Sequence, residues 1–233
     1  MKGQHAPRGD EAEVRGGSAR SRLAATAGYA EAASALASQY ESVSSSEALG
    51  DLLPYLAVPP CRIADIGAGT GRDAAALAKR GHEVIAVEPV REMRAVGERL
   101  HADAPIRWID DALPDLKRLS GEFGLVLVIA VWMHLDQRER ARALRRVVSL
   151  LAPGGRLILT LRHGPVPAGR RMFEVAPEEV IDDGTRLGLD LVHRSRCGDM
   201  LGRDDVTWTN LVLDRAMKQA GPVSVPGAGR STA

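Results

Sequence analysis

Two cysteines, Cys61 and Cys197, are all that 233 residues contain. Their spacing suits no metal site, so none is expected. No charged start runs into an apolar secretory core at the N-terminus, and the setting read from the sequence is reduced and cytoplasmic. Net charge is equally scarce: 31 basic against 30 acidic residues leave +1, so no overall field advertises nucleic acid or an anionic membrane. No apolar run approaches the roughly 20 residues that cross a bilayer. No internal repeat is found. What is present is a chain 45% hydrophobic, read as soluble and long enough to bury the core of one domain.

Residues 1–21 mix Gly, Arg and acids without apolar periodicity and read as a disordered tail; residues 217–233, biased to Gly, Pro and Ser, read as a second. Between them short apolar runs alternate with helical patterns, the signature of crossover units around a parallel sheet. The runs are CRIADIG, HEVIAVE, IRWID, FGLVLVIAV and RLILTLR. The fourth is almost continuous in Val, Leu and Ile, as a central strand covered on both faces requires. Helices are predicted over 72–80, stopped by Gly81, over 90–101 before Pro105, and over 137–151 before Pro153-Gly154-Gly155. Another follows in APEEVIDDGTRLGL, with Pro177 in its first turn and acids at the positive end of its dipole. Alanine-rich YAEAASALASQY predicts a helix ahead of the sheet, and LVHRSR with TWTNLVLDR a terminal antiparallel hairpin on its edge.

In an open parallel sheet the ligand site lies beyond the carboxyl ends of the strands, where chain order reverses. Gly67, Gly69 and Gly71 leave the first strand at that place. Lacking a Cβ, they let a ligand approach the main chain closely. Glu88, about 20 residues on, ends the second strand, where a carboxylate can accept both hydroxyls of a ribose. A dinucleotide fingerprint is G-x-G-x-x-G, but this loop reads G-A-G-T-G-R, with its third glycine one place early. Asp65, two residues before the loop, would repel a phosphate and suits an ammonium or the sulfonium side of a ligand.

DIGAGTGR, the acid in AVEP (Glu88, with Pro89), DALP after IRWID, FGLVLVIAVWMHL and LLAPGGRLILTLR, in that order, resemble the class I S-adenosylmethionine-dependent methyltransferases of small-molecule type over about residues 29–215. The resemblance implies an α/β, Rossmann-like three-layer sandwich: a seven-stranded, mostly parallel sheet with one antiparallel strand near the C-terminus. The domain would span 22–216, with an N-terminal helical lid over about 22–50. S-Adenosyl-L-methionine would be the cofactor. By the same resemblance Asp65, Gly67, Ala68, Gly69 and Gly71 would line its methionine half, and Glu88 would hold the ribose. Asp111 with the backbone of Ala112 would read the adenine edge, and Ala130 and Val131 would pass under the methionine part. Arg72, after the loop, could meet a carboxylate or another anion, and Tyr29 and Tyr40 would belong to the lid. The family often has Asp near the start of the fourth strand, where this chain has Gly124.

For catalysis His134, in VWMHL, stands where substrates sit and titrates in the range of a general base, though the same place suits a helix cap. His163, in LRHGP, has a similar claim. Arg162 beside it could pair with a substrate carboxylate or phosphate bidentately, and either residue could equally be loop architecture. Trp132 could turn its ring to the sulfonium or simply pack, whereas Trp108 and Trp208 read as core or sheet-face residues. Methyl transfer asks little of acid or base, because the cofactor carries the chemistry. The function expected is methyl transfer to an O, N or S nucleophile of a small molecule, by a monomer or homodimer, without nucleic acid or membrane. An RNA- or protein-modifying methyltransferase is the alternative. No N-P-P-Y or D-P-P-Y run follows the fourth strand, which argues against amino methylation of bases. Loop spacing disfavours a nicotinamide oxidoreductase, and a non-catalytic cofactor-binding protein stays open.

Overall fold

The structure is a computed structural model that describes residues 26, 28–56 and 58–217. The tails expected at 1–21 and 217–233 lie outside the described residues, except for Met217, which is exposed. Seven strands form one sheet in the order β3-β2-β1-β4-β5-β7-β6. They are β1 (Arg62–Ile66), β2 (Glu83–Val87), β3 (Ile106–Ile109), β4 (Phe123–Val128), β5 (Leu151–His163), β6 (Leu189–Gly198) and β7 (Thr207–Arg215). β7 pairs antiparallel with both β5 and β6, so it is the single reversed strand. The hairpin expected at the sheet edge is thus present.

Burial along β4 follows the period of two. Val126 and Val128 enter one core, with Phe123, Leu144 and Leu157, while Leu125 and Leu127 enter the other, with Ile63, Leu77 and Ile158. Each core is closed by helices: α3 (Arg72–Ala78), α4 (Arg91–Leu100), α5 (Gln137–Leu150) and α6 (Pro177–Arg186) follow their strands as crossovers. Asp136 and Glu139 form a reciprocal capping box that starts α5. The Pro-Gly-Gly stretch after α5 does not delay β5, which begins at Leu151. It is absorbed as a bulge, since β5 advances from Leu151 to Arg156 while β4 advances from Phe123 to Leu125.

Ahead of the sheet stand α1 (Ala33–Glu41), α2 (Ser45–Leu49) and a 3-10 helix, Gly50–Leu56. The last two escaped the sequence reading, although Ser44 and Glu47 make the S-x-x-E capping box that marks such a start. Asp51 anchors this segment to the far strands: His193 Nε2 and Asn210 Nδ2 each donate to its carboxylate across 2.8 Å. Among the described residues no helix is long and apolar enough to cross a membrane.

Candidate active site

The chain order reverses between β1 and β4, and a cavity of about 200 Å³ opens there. From Ile66 the chain turns through Gly67, Gly69 and Gly71, with φ of 73°, 57° and 79°. Two of these positions admit no side chain. A Cβ on Gly67 would stand 2.3 Å from Val131 Cγ2, and one on Gly71 would stand 2.7 Å from the Trp108 ring. The N–H groups of Gly67, Ala68 and Gly69 are already committed. Gly67 and Ala68 N–H both donate to the Val87 carbonyl (2.7 and 3.1 Å), and Gly69 N–H donates to Glu88 Oε2 (2.9 Å). Bare peptide therefore faces the cavity without the converging N–H groups that bind a pyrophosphate.

Glu88 is held at the cavity wall, its Oε1 accepting from Val90 N–H at 2.8 Å. Asp111, also on the wall, accepts from the N–H groups of Ala112 (2.9 Å), Arg118 (2.6 Å) and Leu119 (3.1 Å), which pins the loop after β3. Its neighbour Asp110 turns away to Arg94 and Arg118, 3.4 and 3.8 Å off.

The N-terminal segment roofs the cavity. Arg72 grips the Asp73 carboxylate (2.9 and 3.1 Å) and donates through Nη1 to the carbonyls of Tyr40 and Val43 (3.0 and 3.4 Å). The Thr70 hydroxyl donates to Glu41 across 2.6 Å. The Arg170 guanidinium covers the Tyr29 ring at 3.7 Å. Below it His134, in the short 3-10 turn Trp132–His134, has Nδ1 2.9 Å from the Arg171 carbonyl and Nε2 3.0 Å from the Tyr29 hydroxyl. A carbonyl only accepts, so Nδ1 carries the proton. In the neutral ring Nε2 is then the acceptor, and Tyr29 donates to it.

A second cavity of about 310 Å³ adjoins the first and shares Tyr29, Tyr40, Arg72, Ile129 and Ala130 with it. Thr160 and Arg162 of β5 line it together with Trp208 and Asn210 of β7. The Thr160 hydroxyl accepts from Ala130 N–H at 2.8 Å, and Ala130 has φ of 58°, a strained value for a residue with a Cβ.

Comparison with known proteins agrees with this geometry. Residues 63–155 match the family model of a methyltransferase domain. An uncharacterized methyltransferase of Mycobacterium tuberculosis is 32% identical over 175 residues, which cover 73% of this chain and 66% of the relative. The chain thus spans just under two thirds of that relative's length. A demethylmenaquinone methyltransferase of Clavibacter sepedonicus is 34% identical over 137 residues, 54% of this chain and 51% of the relative. Among solved structures, the 1,6-didemethyltoxoflavin-N1-methyltransferase of Burkholderia thailandensis, with 1,6-didemethyltoxoflavin and S-adenosylhomocysteine bound, has a TM-score of 0.63 at 19% identity, covering 93% of each chain. Residues 63–155 thus form a methyltransferase domain, and the fold around them is that of class I S-adenosylmethionine-dependent methyltransferases.

Within this class I fold the electrostatics divide by depth. Burial pushes the Asp65 carboxyl up to about 8, with Asp73 adding to the rise and Arg72 opposing it. Burial likewise raises the phenols of Tyr29 and Tyr40. His134 is pushed down, first by burial and then by the cations Arg170, Arg171 and Arg162, against the pull of its bond to the Arg171 carbonyl. It is neutral at neutral pH, with Nε2 as its basic atom.

Of the residues singled out in the sequence, Asp65, Gly67, Ala68, Gly69, Arg72, Glu88, Pro89, Asp111, Ala112, Ala130, Val131, Tyr29, Tyr40 and His134 line the first cavity. Gly71 stands behind it, against Trp108. Arg72 lines both cavities, and its guanidinium bonds to Asp73 and to the carbonyls of Tyr40 and Val43. The Ala112 N–H is likewise spent on Asp111. His163 and Trp132 line neither cavity. Side chains alternate along β5, so Arg162 and His163 face opposite ways, and His163 Nε2 lies 2.9 Å from the Thr209 hydroxyl. Trp132 is 1% exposed and packs in the core with Leu135 and Leu144. Residues missed include Met93 and Leu113 in the first cavity, and Asp199, Met200 and Arg203, from the turn joining β6 to β7, in the second.

Proposed function

We propose that this protein transfers a methyl group from S-adenosylmethionine to a small molecule. One observation carries the reading: the two cavities meet along a common wall of Tyr29, Tyr40, Ile129 and Ala130, and the second is of metabolite size. The first cavity suits the cofactor chemically. It offers bare peptide at Gly67 and Gly69, a buried carboxyl for an ammonium at Asp65 and a carboxylate for ribose hydroxyls at Glu88. The wall from Asp111 to Leu113 takes the adenine, and Ala130 and Val131 pass beneath the methionine part.

S-Adenosylmethionine supplies a methyl group already activated by its sulfonium for in-line displacement. The protein's own share is placement and exclusion of water. Latches through Arg72 and Thr70 close the lid over the cofactor side, and Tyr29, shared by both cavities, shields the meeting point. For a hydroxyl or ammonium acceptor the proton passes to the Tyr29 hydroxyl, which lines both cavities, as Tyr29 hands its own proton to His134 Nε2, whose orientation the Arg171 carbonyl fixes. A thiolate acceptor needs no base. The near-neutral charge supports work without nucleic acid, and a cytoplasmic monomer or homodimer is part of the same proposal.

Incubation with methyl-labelled S-adenosylmethionine and a pool of metabolites tests the reading. A labelled small molecule is the expected product, and label carried only by RNA or protein would replace this reading with the macromolecular one. Failure of the folded protein to bind S-adenosylhomocysteine in calorimetry would remove the cofactor assignment altogether.

A further inference from the structure

The chain builds its internal arginine contacts to a pattern. Arg140 closes a fork on Glu179 (2.8 and 3.1 Å), Arg156 on Asp214 (2.6 and 2.7 Å), and Arg203 on Asp199 (2.6 and 2.9 Å). Arg162 departs from it. Its side chain reaches the second cavity from β5 and the residue is 6% exposed, yet among the described residues Nη1 donates to the Gly164 carbonyl at 3.2 Å and Nε meets no acceptor. A guanidinium has five N–H donors, and burying it without a carboxylate is costly. Burial and the nearby Arg203 both act against its charge. Asp199 and Asp205 offset this only in part, and neither closes a fork on Arg162: the Asp199 oxygens are engaged by Arg203 and by Trp208 Nε1 at 2.9 Å.

We propose that the second cavity selects a methyl acceptor bearing a carboxylate, received by the donor edge of Arg162, with an apolar body against Met133, Met172 and Met200. The assignment rests on reading this cavity as the acceptor chamber. A carboxylate is planar and matches a guanidinium edge with two parallel bonds. A phosphate monoester would bring a second negative charge onto a wall that already carries Asp199. The three methionines are flexible and polarizable, so they fit an apolar body of varied outline.

The test uses protein saturated with S-adenosylhomocysteine and matched probes: benzoate with benzamide, 4-hydroxybenzoate with 4-hydroxybenzamide, and phenyl phosphate. Ligand-observed NMR titration gives their affinities. Each acid is expected to bind at least ~10-fold tighter than its amide, the effect of one charge-assisted hydrogen bond, and tighter than phenyl phosphate. Arg162→Met is expected to erase the difference while S-adenosylhomocysteine affinity stays within about threefold, since Arg162 is absent from the cofactor cavity. Should that variant fail to fold, Arg162→Lys keeps the charge without the fork and is expected to shrink the preference for acids. Equal binding of acid and amide, tightest binding of phenyl phosphate, no probe binding, or an undiminished preference in a folded variant each overturns the proposal. Those results leave the methyltransferase reading standing, whereas loss of S-adenosylhomocysteine binding by the unaltered protein would sink both.

Discussion

The hydroxyl of Tyr29 lies 3.0 Å from Nε2 of His134, although 105 positions separate the two in the chain. The roof of the site and its one well-placed base are therefore joined by a single bond. If His134 accepts the proton, His134→Gln lowers kcat about 100-fold or more with an O or N acceptor, while leaving the dissociation constant for S-adenosylhomocysteine within about threefold. Because His134 titrates below its ordinary value of 6.5, the rate should climb on the acid side and level off by neutral pH. That acid limb should vanish in the variant. Tyr29→Phe keeps a ring under Arg170 and removes the hydroxyl between acceptor and base, so a loss comparable to that of His134→Gln is expected. Equal loss of cofactor binding in both variants would take His134 out of the chemistry.

Glu88 holds the loop through Gly69 and Val90, and if it also holds the ribose, its removal should show both effects. Glu88→Ala leaves the N–H groups of Gly69 and Val90 without their carboxylate, for a loss of about 1–3 kcal/mol in chemical unfolding. Calorimetry should also show S-adenosylhomocysteine binding weakened about 100-fold or more, as expected when charge-assisted bonds to two hydroxyls disappear. Unchanged affinity would mean that the ribose is held elsewhere.

Asp65 makes cofactor binding depend on pH. Its carboxyl stays protonated up to about 8 in the ligand-free site, and a ligand ammonium favours the ionised form. Affinity for S-adenosylhomocysteine should then fall as pH drops below about 8, with nearly one proton released on binding at pH 7. The linkage for folding has the opposite slope: the unfolded chain ionises this group near 3.9, so the ligand-free fold loses stability as pH rises from about 4 to about 8. Asp65→Asn should flatten both profiles. Calorimetry in buffers of different ionisation enthalpy counts the protons, and a count of zero would detach Asp65 from the ligand.

Helix α1 is a weak element held by contacts at its ends. Ala32 provides no side-chain cap, and of its nine residues Ala33 and Ala37 are buried, where isolated helices of this length are marginal in water. Hydrogen exchange should find Ala33–Glu41 among the faster-exchanging helical segments, with protection rising on addition of S-adenosylhomocysteine. Protection unchanged by ligand would contradict a lid.

Gly67 and Val131 should be coupled. Gly67→Ala drives a Cβ into Val131 Cγ2 at 2.3 Å and strains a backbone at φ 73°. Val131→Ala in the same chain relieves the clash but not the strain, so partial recovery of S-adenosylhomocysteine binding is expected. A double variant no better than Gly67→Ala would show that backbone strain alone decides.

The strands were legible because a core-facing strand must be written in apolar residues, and FGLVLVIAV admits few other states. The lining of the first cavity was legible for a related reason: Gly67, Glu88 and Asp111 follow the ends of three consecutive strands, so sequence order maps onto position around the cavity. The second cavity has no such order. Arg162 arrives from β5, Trp208 from β7, Met200 from the turn between β6 and β7, and Tyr40 from α1, and only the folded sheet brings them together. Two errors were avoidable. Strand alternation forbids Arg162 and His163, adjacent on β5, from sharing a face. The Ser44–Glu47 box announces a helix that alanine content alone did not.

The reversal of β7 has a last effect. It places the tip of the β6–β7 hairpin, with Asp199, Met200 and Arg203, over the acceptor side and remote from the glycine loop. Insertions and substitutions at that tip would change the outline of the second cavity while leaving the walls of the first untouched, so the two chambers can be altered independently through one short piece of chain.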